Sequence, residues 1–73
     1  MHRLEELRKQ KNLTQIKLQM LTGIDQSDYS KIERGLKEPT FWQCKTLAVT
    51  FATSMDYIAG LTDEKRPYPR AKK

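Results

Sequence analysis

The stretch TQIKLQMLTGIDQSDYSKIERGLKEP, Thr14 to Pro39, decides the fold of this chain. Two short amphipathic segments flank a Gly-Ile-Asp turn. Gly23 can adopt a positive φ and end one helix, and Asp25 can cap the N-terminus of the next. Gly35 then lies where a helix is expected to end, and the proline that follows prevents continuation. The stretch therefore predicts two helices joined by a tight turn, a helix–turn–helix.

A length of 73 residues is enough for one small domain only. The single cysteine, Cys44, cannot form an internal disulfide, and no apolar run approaches the roughly 18 residues that a membrane span needs. No secretory leader is expected at the start of the chain. Together these features predict a cytoplasmic protein.

The net charge of +5 invites a nucleic-acid interpretation, but the charge is unevenly distributed. Residues 1–64 hold nine acidic and nine basic side chains, so this part is formally neutral. The five remaining basic residues, Lys65, Arg66, Arg70, Lys72 and Lys73, all lie beyond it. Any binding of DNA therefore depends on where individual side chains point, because the total charge does not supply it.

Apolar spacing and capping residues predict five short helices, and so an all-α fold. The predicted ranges are 2–11, 15–22, 26–34, 41–52 and 55–60, with Thr14, Asp25, Thr40 and Ser54 as N-caps and Asn12 in a left-handed conformation. The side chains expected to face inward are Leu4, Leu7, Leu13, Leu18, Leu21, Ile24, Tyr29, Ile32, Phe41, Cys44, Leu47, Ala48, Phe51, Met55, Ile58 and Leu61. Residues 1–62 form the predicted domain. Residues 63–73, called the tail below, are basic, contain proline and are expected to be extended or disordered.

Catalysis finds no support in the sequence. His2 is the lone histidine and has no carboxylate or serine spaced to partner it, and Cys44 falls on the apolar stripe of the fourth helix, where a buried thiol is favoured over a nucleophile. One histidine and one cysteine cannot form a structural zinc site, and no glycine-rich phosphate loop occurs. We therefore expect a protein that is not an enzyme and needs neither a metal nor a cofactor.

Several motifs share one register along the chain: L-T-Q at Leu13–Gln15, S-K-I-E-R-G at Ser30–Gly35 and S-M-D-Y-I at Ser54–Ile58, together with Leu4, Leu7, Arg8, Gly23 and Pro39. In this combination residues 4–61 resemble the helix–turn–helix domain of lambdoid phage repressors and Cro, the Xre family. The resemblance implies a compact five-helix, lambda-repressor-like fold. It also implies a sequence-specific regulator of double-stranded DNA, most simply a repressor, that acts as a homodimer on a pseudo-palindromic operator.

In that family the third helix enters the major groove. The resemblance therefore implies base contacts from Gln26, Ser27 and Lys31, whose side chains suit adenine, either base type and guanine respectively. The alternative interpretation of this surface is an ordinary solvated helix face. Asp28 lies close to it and is expected either to turn aside or to accept a hydrogen bond from cytosine N4.

The resemblance also implies contacts to the DNA backbone. Gln15 opens the second helix, whose first amides are left available to a phosphate because Lys17 replaces the glutamate of the usual capping box. For Lys37, an ordinary surface lysine without a contact to DNA is an equally good interpretation. For Trp42, a side chain wedged over the loop is equally good. The full predicted set of backbone contacts is Gln15, Lys17, Ser30, Lys37, Thr40 and Trp42.

Two further sets of residues follow from the resemblance. Arg8 and Glu33 are expected to form an ion pair that joins the first helix to the end of the third, in a structural role. Val49, Thr53, Met55 and Tyr57 are the candidates for the dimer interface, although a methionine at this spacing is more often core. Such a dimer places two recognition helices about one DNA turn apart, roughly 34 Å.

The chain departs from the family pattern at three positions. Gln19 stands where a small residue is usual, so its amide must turn outward or the crossing of the second and third helices must loosen. Tyr29 and Leu36 also replace the usual residues, which we interpret as local repacking.

A second hypothesis comes from a different functional class. The chain would then be an antitoxin or adaptor of a toxin–antitoxin or mobile-element module, and would bind a protein partner such as a toxin or anti-repressor through its tail or fifth helix.

Overall fold

A computed structural model describes the backbone of residues 2–69 and the side chains of residues 3–69. Within residues 2–69 there are five helices and no strand: α1 (His2–Gln10), α2 (Gln15–Thr22), α3 (Gln26–Glu33), α4 (Phe41–Thr50) and α5 (Met55–Ala59). The predicted all-α fold is confirmed, and each predicted helix ends within two residues of the observed one. The side chain of His2 and the tail residues Arg70, Lys72 and Lys73 lie outside the described residues.

Capping side chains begin α2, α3, α4 and α5 as predicted. Thr14, Asp25, Thr40 and Ser54 each accept a hydrogen bond from a backbone amide in the first turn of the helix that they precede. Thr40 also forms a reciprocal capping box with Gln43. These side chains satisfy amides that a helix N-terminus would otherwise leave unpaired.

The tight turn between α2 and α3 depends on one glycine. Gly23 adopts a φ of 77°, a conformation that side chains with a Cβ rarely take, and its amide donates to the Gln19 carbonyl oxygen at 2.8 Å. Asn12 takes the predicted left-handed conformation after α1, with a φ of 56°. Local sequence therefore fixes where α1 and α2 stop.

One hydrophobic core receives side chains from all five helices and from the α2–α3 turn. Leu13, Met55 and Tyr57 are partly buried and pack against it. The buried apolar members are Leu4, Leu7, Leu18, Ile24, Tyr29, Ile32, Cys44, Leu47, Ala48, Phe51 and Ile58.

Leu21 was predicted to face inward and is instead 60% exposed. The core-facing side of α2 is defined by Leu18 and by Thr22, which is buried and donates its hydroxyl to the Leu18 carbonyl oxygen at 2.8 Å. A rotation of about 100° per residue carries Leu21 past Leu18 on the side away from Thr22. A buried threonine thus occupies the place that apolar spacing assigns to Leu21.

Two further inward predictions are wrong, both next to the end of a helix. Phe41 is 75% exposed because it is the first residue of α4, and the buried stripe of that helix begins one turn later, at Cys44. Leu61 is 79% exposed and follows Gly60, which ends α5 in a left-handed conformation. Both side chains lie beyond the part of their helix that covers the core.

An ion pair joins α1 to the end of α3. Arg8 donates from Nη2 to Glu33 Oε1 at 2.8 Å and from Nε to Oε2 at 3.0 Å. The two side chains are only 13% and 5% exposed. Arg8 Nη1 also donates to the Leu13 carbonyl oxygen at 2.9 Å, in the segment before α2. The guanidinium therefore holds α1, the α1–α2 connection and α3 in one arrangement.

The charges of this pair are strongly coupled. Burial acts to raise the pKa of Glu33, but the hydrogen bonds from Arg8 and the positive charge of Arg8 outweigh it, so the pKa lies below its ordinary value. The hydrogen bond to Glu33 likewise raises the pKa of Arg8. Tyr29 lies beside the pair, where burial, followed by the charge of Glu33, raises the pKa of its phenol.

Residues 63–69 of the tail lie against α5 and the segment before it, without helix or strand. The Thr53 hydroxyl donates to the Lys65 carbonyl oxygen at 2.6 Å, and the Tyr68 hydroxyl donates to Asp56 Oδ2 at 2.6 Å. Thr53, which was predicted for the dimer interface, is consequently 5% exposed.

The two phenylalanines form a matched test of the core. Phe51 is 4% exposed and Phe41 is 75% exposed. We expect Phe51→Ala to lower the free energy of unfolding by about 3–5 kcal/mol, because it leaves a cavity, and Phe41→Ala to change it by less than about 0.5 kcal/mol. Urea denaturation followed by circular dichroism measures both. A comparable loss in the two variants would show that Phe41 belongs to the core.

The Arg8–Glu33 pair makes stability depend on acid pH. Because the pKa of Glu33 is lowered in the folded protein, its contribution is present above its ordinary value of 4.5 and is lost as the pH falls through the folded value. Glu33→Gln should cost about 3 kcal/mol at pH 7, and the difference from wild type should shrink in acid. Urea denaturation from pH 7 to pH 3 measures this, with exposed Glu38→Gln as the control. A difference that is constant with pH would contradict this role of Glu33.

Candidate nucleic-acid interface

The exposed face of α3 carries the residues predicted to contact bases. Tyr29, Ile32 and Glu33 are buried and define the inner side of the helix. Helical rotation places Ser27 and Lys31 on the opposite side, where both are exposed. Gln26 is half-buried and lies at the edge of this face nearest α2. Ser27 and Lys31 thus share one accessible face, with Gln26 at its edge in the first turn and Lys31 in the last turn of α3.

Ser30 and Arg34 extend this face toward the end of α3. Arg34 is exposed and lies three residues after Lys31, with its Nε donating to the Ser30 carbonyl oxygen at 3.4 Å. The predicted site did not include Arg34, although its helical spacing from Lys31 was readable in the sequence. The face therefore carries two cationic side chains.

The N-terminus of α3 is closed by side chains. Asp25 accepts hydrogen bonds from the amides of Ser27 and Asp28, at 3.0 and 3.3 Å. Gln19 Oε1 accepts one from the amide of Gln26 at 2.6 Å. The Gln19 side chain is exposed, with its carboxamide oxygen turned toward the start of α3.

Asp28 is turned away from the exposed face of α3. Its carboxylate accepts hydrogen bonds from Lys37 Nζ and from Gln43 Nε2, the latter at 2.7 Å. The bond from Lys37, followed by that from Gln43, lowers the pKa of Asp28. Of the two alternatives for Asp28, the structure therefore shows the first. Lys37, predicted to contact a phosphate, is occupied by this carboxylate.

The start of α2 holds two of the predicted backbone contacts. The Thr14 hydroxyl accepts a hydrogen bond from the Lys17 amide at 3.1 Å, and the Lys17 side chain is exposed. Gln15, the first residue of α2, is half-buried.

Thr40 and Trp42 lie at the start of α4. The Thr40 hydroxyl accepts a hydrogen bond from the Gln43 amide at 3.1 Å, which leaves its own proton to be donated elsewhere. Trp42 is 55% exposed in the first turn of α4. Both residues are accessible at the helix that holds Asp28 through Gln43.

Many of the basic side chains form ion pairs within the chain. Among the side chains of residues 3–69, five basic residues pair with carboxylates: Arg3, Arg8, Lys9, Lys37 and Arg66. The basic side chains in this part of the chain that form no such pair are Lys11, Lys17, Lys31, Arg34, Lys45 and Lys65. Three of these six, Lys17, Lys31 and Arg34, belong to α2, α3 and the residue that follows α3.

The four residues predicted for a dimer interface differ in accessibility. Val49 is 53% exposed on α4, whereas Thr53 is buried beneath the tail. Met55 and Tyr57 are half-buried, and the guanidinium of Arg3 lies 4.4 Å from the centre of the Tyr57 ring. Val49 is therefore the most accessible of the four.

A second apolar surface lies at the opposite end of α4. Phe41 lines a groove of about 300 Å³ between the α3–α4 connection and α5, with Pro39, Cys44 and Ile58 among its walls. Burial raises the pKa of the Cys44 thiol, so the thiol is held in its protonated form at neutral pH.

The described residues give no sign of a metal centre or of a membrane span. Within residues 3–69, no three histidine, cysteine, aspartate or glutamate side chains are grouped to hold a metal ion. No helix among residues 2–69 is long and apolar enough to cross a membrane.

Comparisons with known proteins agree with this arrangement. The Helix-turn-helix family model matches residues 4–58. The chain is 40% identical over 65 residues to YobD, an uncharacterized HTH-type transcriptional regulator of Bacillus subtilis (strain 168), over 89% of the chain and 58% of the relative. It is 36% identical over 69 residues to the HTH-type transcriptional regulator AnsR of the same organism, over 94% of the chain and 60% of the relative.

The chain thus spans less than two thirds of the length of these two relatives. No solved structure gives a significant match. The family match covers most of α1, all of α2 to α4 and most of α5, so it includes the whole helix–turn–helix together with the core that supports it. By fold and by sequence, the chain belongs to the Xre/Cro-like helix–turn–helix family of transcriptional regulators.

Proposed function

We propose that this chain is a sequence-specific double-stranded DNA-binding regulator, most simply a repressor, that inserts α3 into the major groove. The observation that carries this proposal is the orientation of Asp28. Its carboxylate is bound by Lys37 and Gln43, so the exposed face of α3 presents neutral and cationic side chains. A face of this kind can approach the negatively charged groove without electrostatic repulsion.

Base readout is assigned to Gln26, Ser27 and Lys31. A glutamine can bond adenine at N6 and N7, a lysine can donate to guanine at O6 and N7, and a serine suits either type of base. The accessibility of all three on one face supports this assignment. Arg34 lies at the far end of that face, where its guanidinium is suited to a phosphate.

Contacts to the DNA backbone are assigned to Gln15, Lys17, Ser30, Thr40 and Trp42. Lys17 is exposed and unpaired among the described residues, which favours it as the main cationic contact. Lys37 reaches a phosphate only by leaving Asp28, so we assign it a supporting role between α3 and α4. A regulator of this kind acts in the cytoplasm, at the nucleoid.

Dimerisation is assigned to the face formed by Val49, Met55 and Tyr57. One copy of a domain with this few cations makes few phosphate contacts, so specific binding requires two copies on adjacent half-sites. Val49 supplies exposed apolar surface for this contact. Thr53 takes part only where the tail moves from it, because its hydroxyl is bonded to Lys65.

Binding to selected and random duplexes over a salt series tests the DNA proposal. We expect a pseudo-palindromic duplex, enriched from a random pool, to bind at least about 1,000-fold more tightly than an unrelated duplex. Lys31→Ala should cost about 1–3 kcal/mol and relax the preference at one base pair. Lys17→Ala should weaken all duplexes alike and reduce the slope of log K against log salt by about one for each copy bound, so by about two on the full operator.

The matched control is Lys45→Ala, which removes an exposed, unpaired lysine of α4 that has no assigned contact. It should leave affinity, preference and salt slope close to those of the wild type. Equal affinity of the wild type for the selected and unrelated duplexes at every salt concentration would refute the proposed function.

The dimer face is tested by placing a charge on it. Val49→Glu should bind a single half-site as the wild type does, but should lose about tenfold in affinity for the full operator, since a buried charge opposes the contact between copies. Phe41→Glu is the control for the ratio of full-site to half-site affinity, because Phe41 is an exposed apolar residue at the other end of α4. A charge beside Thr40 and Trp42 should weaken both duplexes in proportion to the copies bound and leave the contact between copies unchanged. Sedimentation and titration with half-site and full-site duplexes distinguish the two. Loss of the full-site gain in Phe41→Glu alone would move the interface to the Phe41 groove.

A further inference from the structure

Gln19 connects the two helices of the helix–turn–helix through its side chain. Its Oε1 accepts a hydrogen bond from the backbone amide of Gln26, the first residue of α3, at 2.6 Å. Asp25 caps the amides of Ser27 and Asp28 but does not bond the amide of Gln26. Gln19 therefore completes the N-terminus of α3 from the neighbouring helix.

Further contacts hold the backbone on both sides of this bond. Gln19 lies in the second half of α2, and its carbonyl oxygen accepts a hydrogen bond from the Gly23 amide at 2.8 Å. In the turn, Ile24 is 2% exposed, and its amide donates to the Thr22 hydroxyl at 3.1 Å. Because α2, the turn and α3 are all held, the Gln19 side chain bridges a fixed gap.

The bond to Gln26 also fixes which way the Gln19 carboxamide faces. A backbone amide can only donate, so the carboxamide oxygen must face Gln26 and Nε2 must face away from it. The Gln19 side chain is exposed, and none of the hydrogen bonds among residues 3–69 is donated by its Nε2. Gln19 therefore offers N–H donors to a ligand at the start of α3, while its oxygen is turned toward the protein.

On the basis of the proposed DNA binding by α3, we propose that Gln19 is a further specificity-determining residue, which donates from Nε2 to the base next to the one that Gln26 reads. A glutamine whose carboxamide oxygen and Nε2 are both available suits adenine, since that base presents a donor beside an acceptor. Gln19 presents only donors. The base with two acceptors in the major groove is guanine, at N7 and O6, so Gln19 favours guanine at this position of the operator.

This role differs from that of a residue that only holds α3 in place. A purely positioning residue affects all bases read by α3, because the whole helix moves when it is lost. Loss of a residue that contacts a base changes the base preference at one position of the operator and leaves the other positions unchanged. That preference also changes when only the Nε2 donor of Gln19 is lost and the bond to the Gln26 amide is kept.

Operator selection from randomised duplexes separates these cases. The full chain is compared with Gln19→Ala, Gln19→Glu and Gln26→Ala, of which Gln26→Ala identifies the position that Gln26 reads. We expect the wild type to prefer guanine at the adjacent position by about fivefold, the effect of one hydrogen bond. Gln19→Ala should lose that preference and keep the others. Gln19→Glu retains an acceptor but has no donor, so it should disfavour guanine and favour cytosine, whose N4 donates.

Two measurements without DNA serve as controls. The amide ¹⁵N–¹H resonance of Gln26 reports the bond to Gln19, and it should shift in Gln19→Ala but much less in Gln19→Glu. Because the Gln19 side chain is exposed, both variants should keep a melting temperature close to that of the wild type, within about 4 °C.

Unchanged base preferences in both Gln19 variants would overturn the proposed contact. So would a loss of preference at every position together, which would make Gln19 a positioning residue alone. Failure of the wild type to enrich any sequence would overturn the proposed function itself, and it would be recognised before any variant is compared.

Discussion

The ion pair between Arg8 and Glu33 is the interaction on which the rest of the structure depends. It bonds at two points, is almost fully buried and reaches the carbonyl oxygen of Leu13 through the remaining guanidinium nitrogen. Removing two charges from water opposes much of their attraction, so such a pair adds less stability than its short distances suggest. What it provides is orientation. It sets α3 at one angle to α1, and through the Leu13 carbonyl oxygen it also holds the segment before α2.

Local chemistry explains why the helices were predictable. Thr14, Asp25, Thr40 and Ser54 begin helices with hydrogen bonds that reach only two or three residues ahead, so the signal lies entirely in adjacent sequence. Burial depends instead on what lies across the core, and there prediction failed at Leu21, Phe41 and Leu61. Periodicity identified the stripe of α4 from Cys44 onward, but it did not show that the core ends before the first turn of that helix.

On the polar surface, too, some features could be predicted from the sequence and others could not. The shared face of Ser27 and Lys31 follows from helical spacing, and the match to the helix–turn–helix family is consistent with it. The partners of Asp28 and Gln19 lie seven to fifteen residues away, and their contacts depend on rotamers that no repeat or spacing encodes. Both residues look unfavourable in the sequence, one as a carboxylate near DNA and the other as a bulky amide at a helix crossing. In the folded chain each joins α3 to a neighbouring helix.

The pairing of Lys37 with Asp28 has a consequence for how such a regulator searches a genome. Each cation held by a carboxylate is lost to sequence-independent attraction, and a domain that is formally neutral over residues 1–64 has little of that attraction to begin with. For the DNA binding proposed above, this arrangement means that the helix–turn–helix itself adds little affinity for non-operator DNA, so sequence-independent attraction must come mainly from the basic residues beyond residue 64. Sliding along DNA by such a domain then contributes less to the search than diffusion through solution.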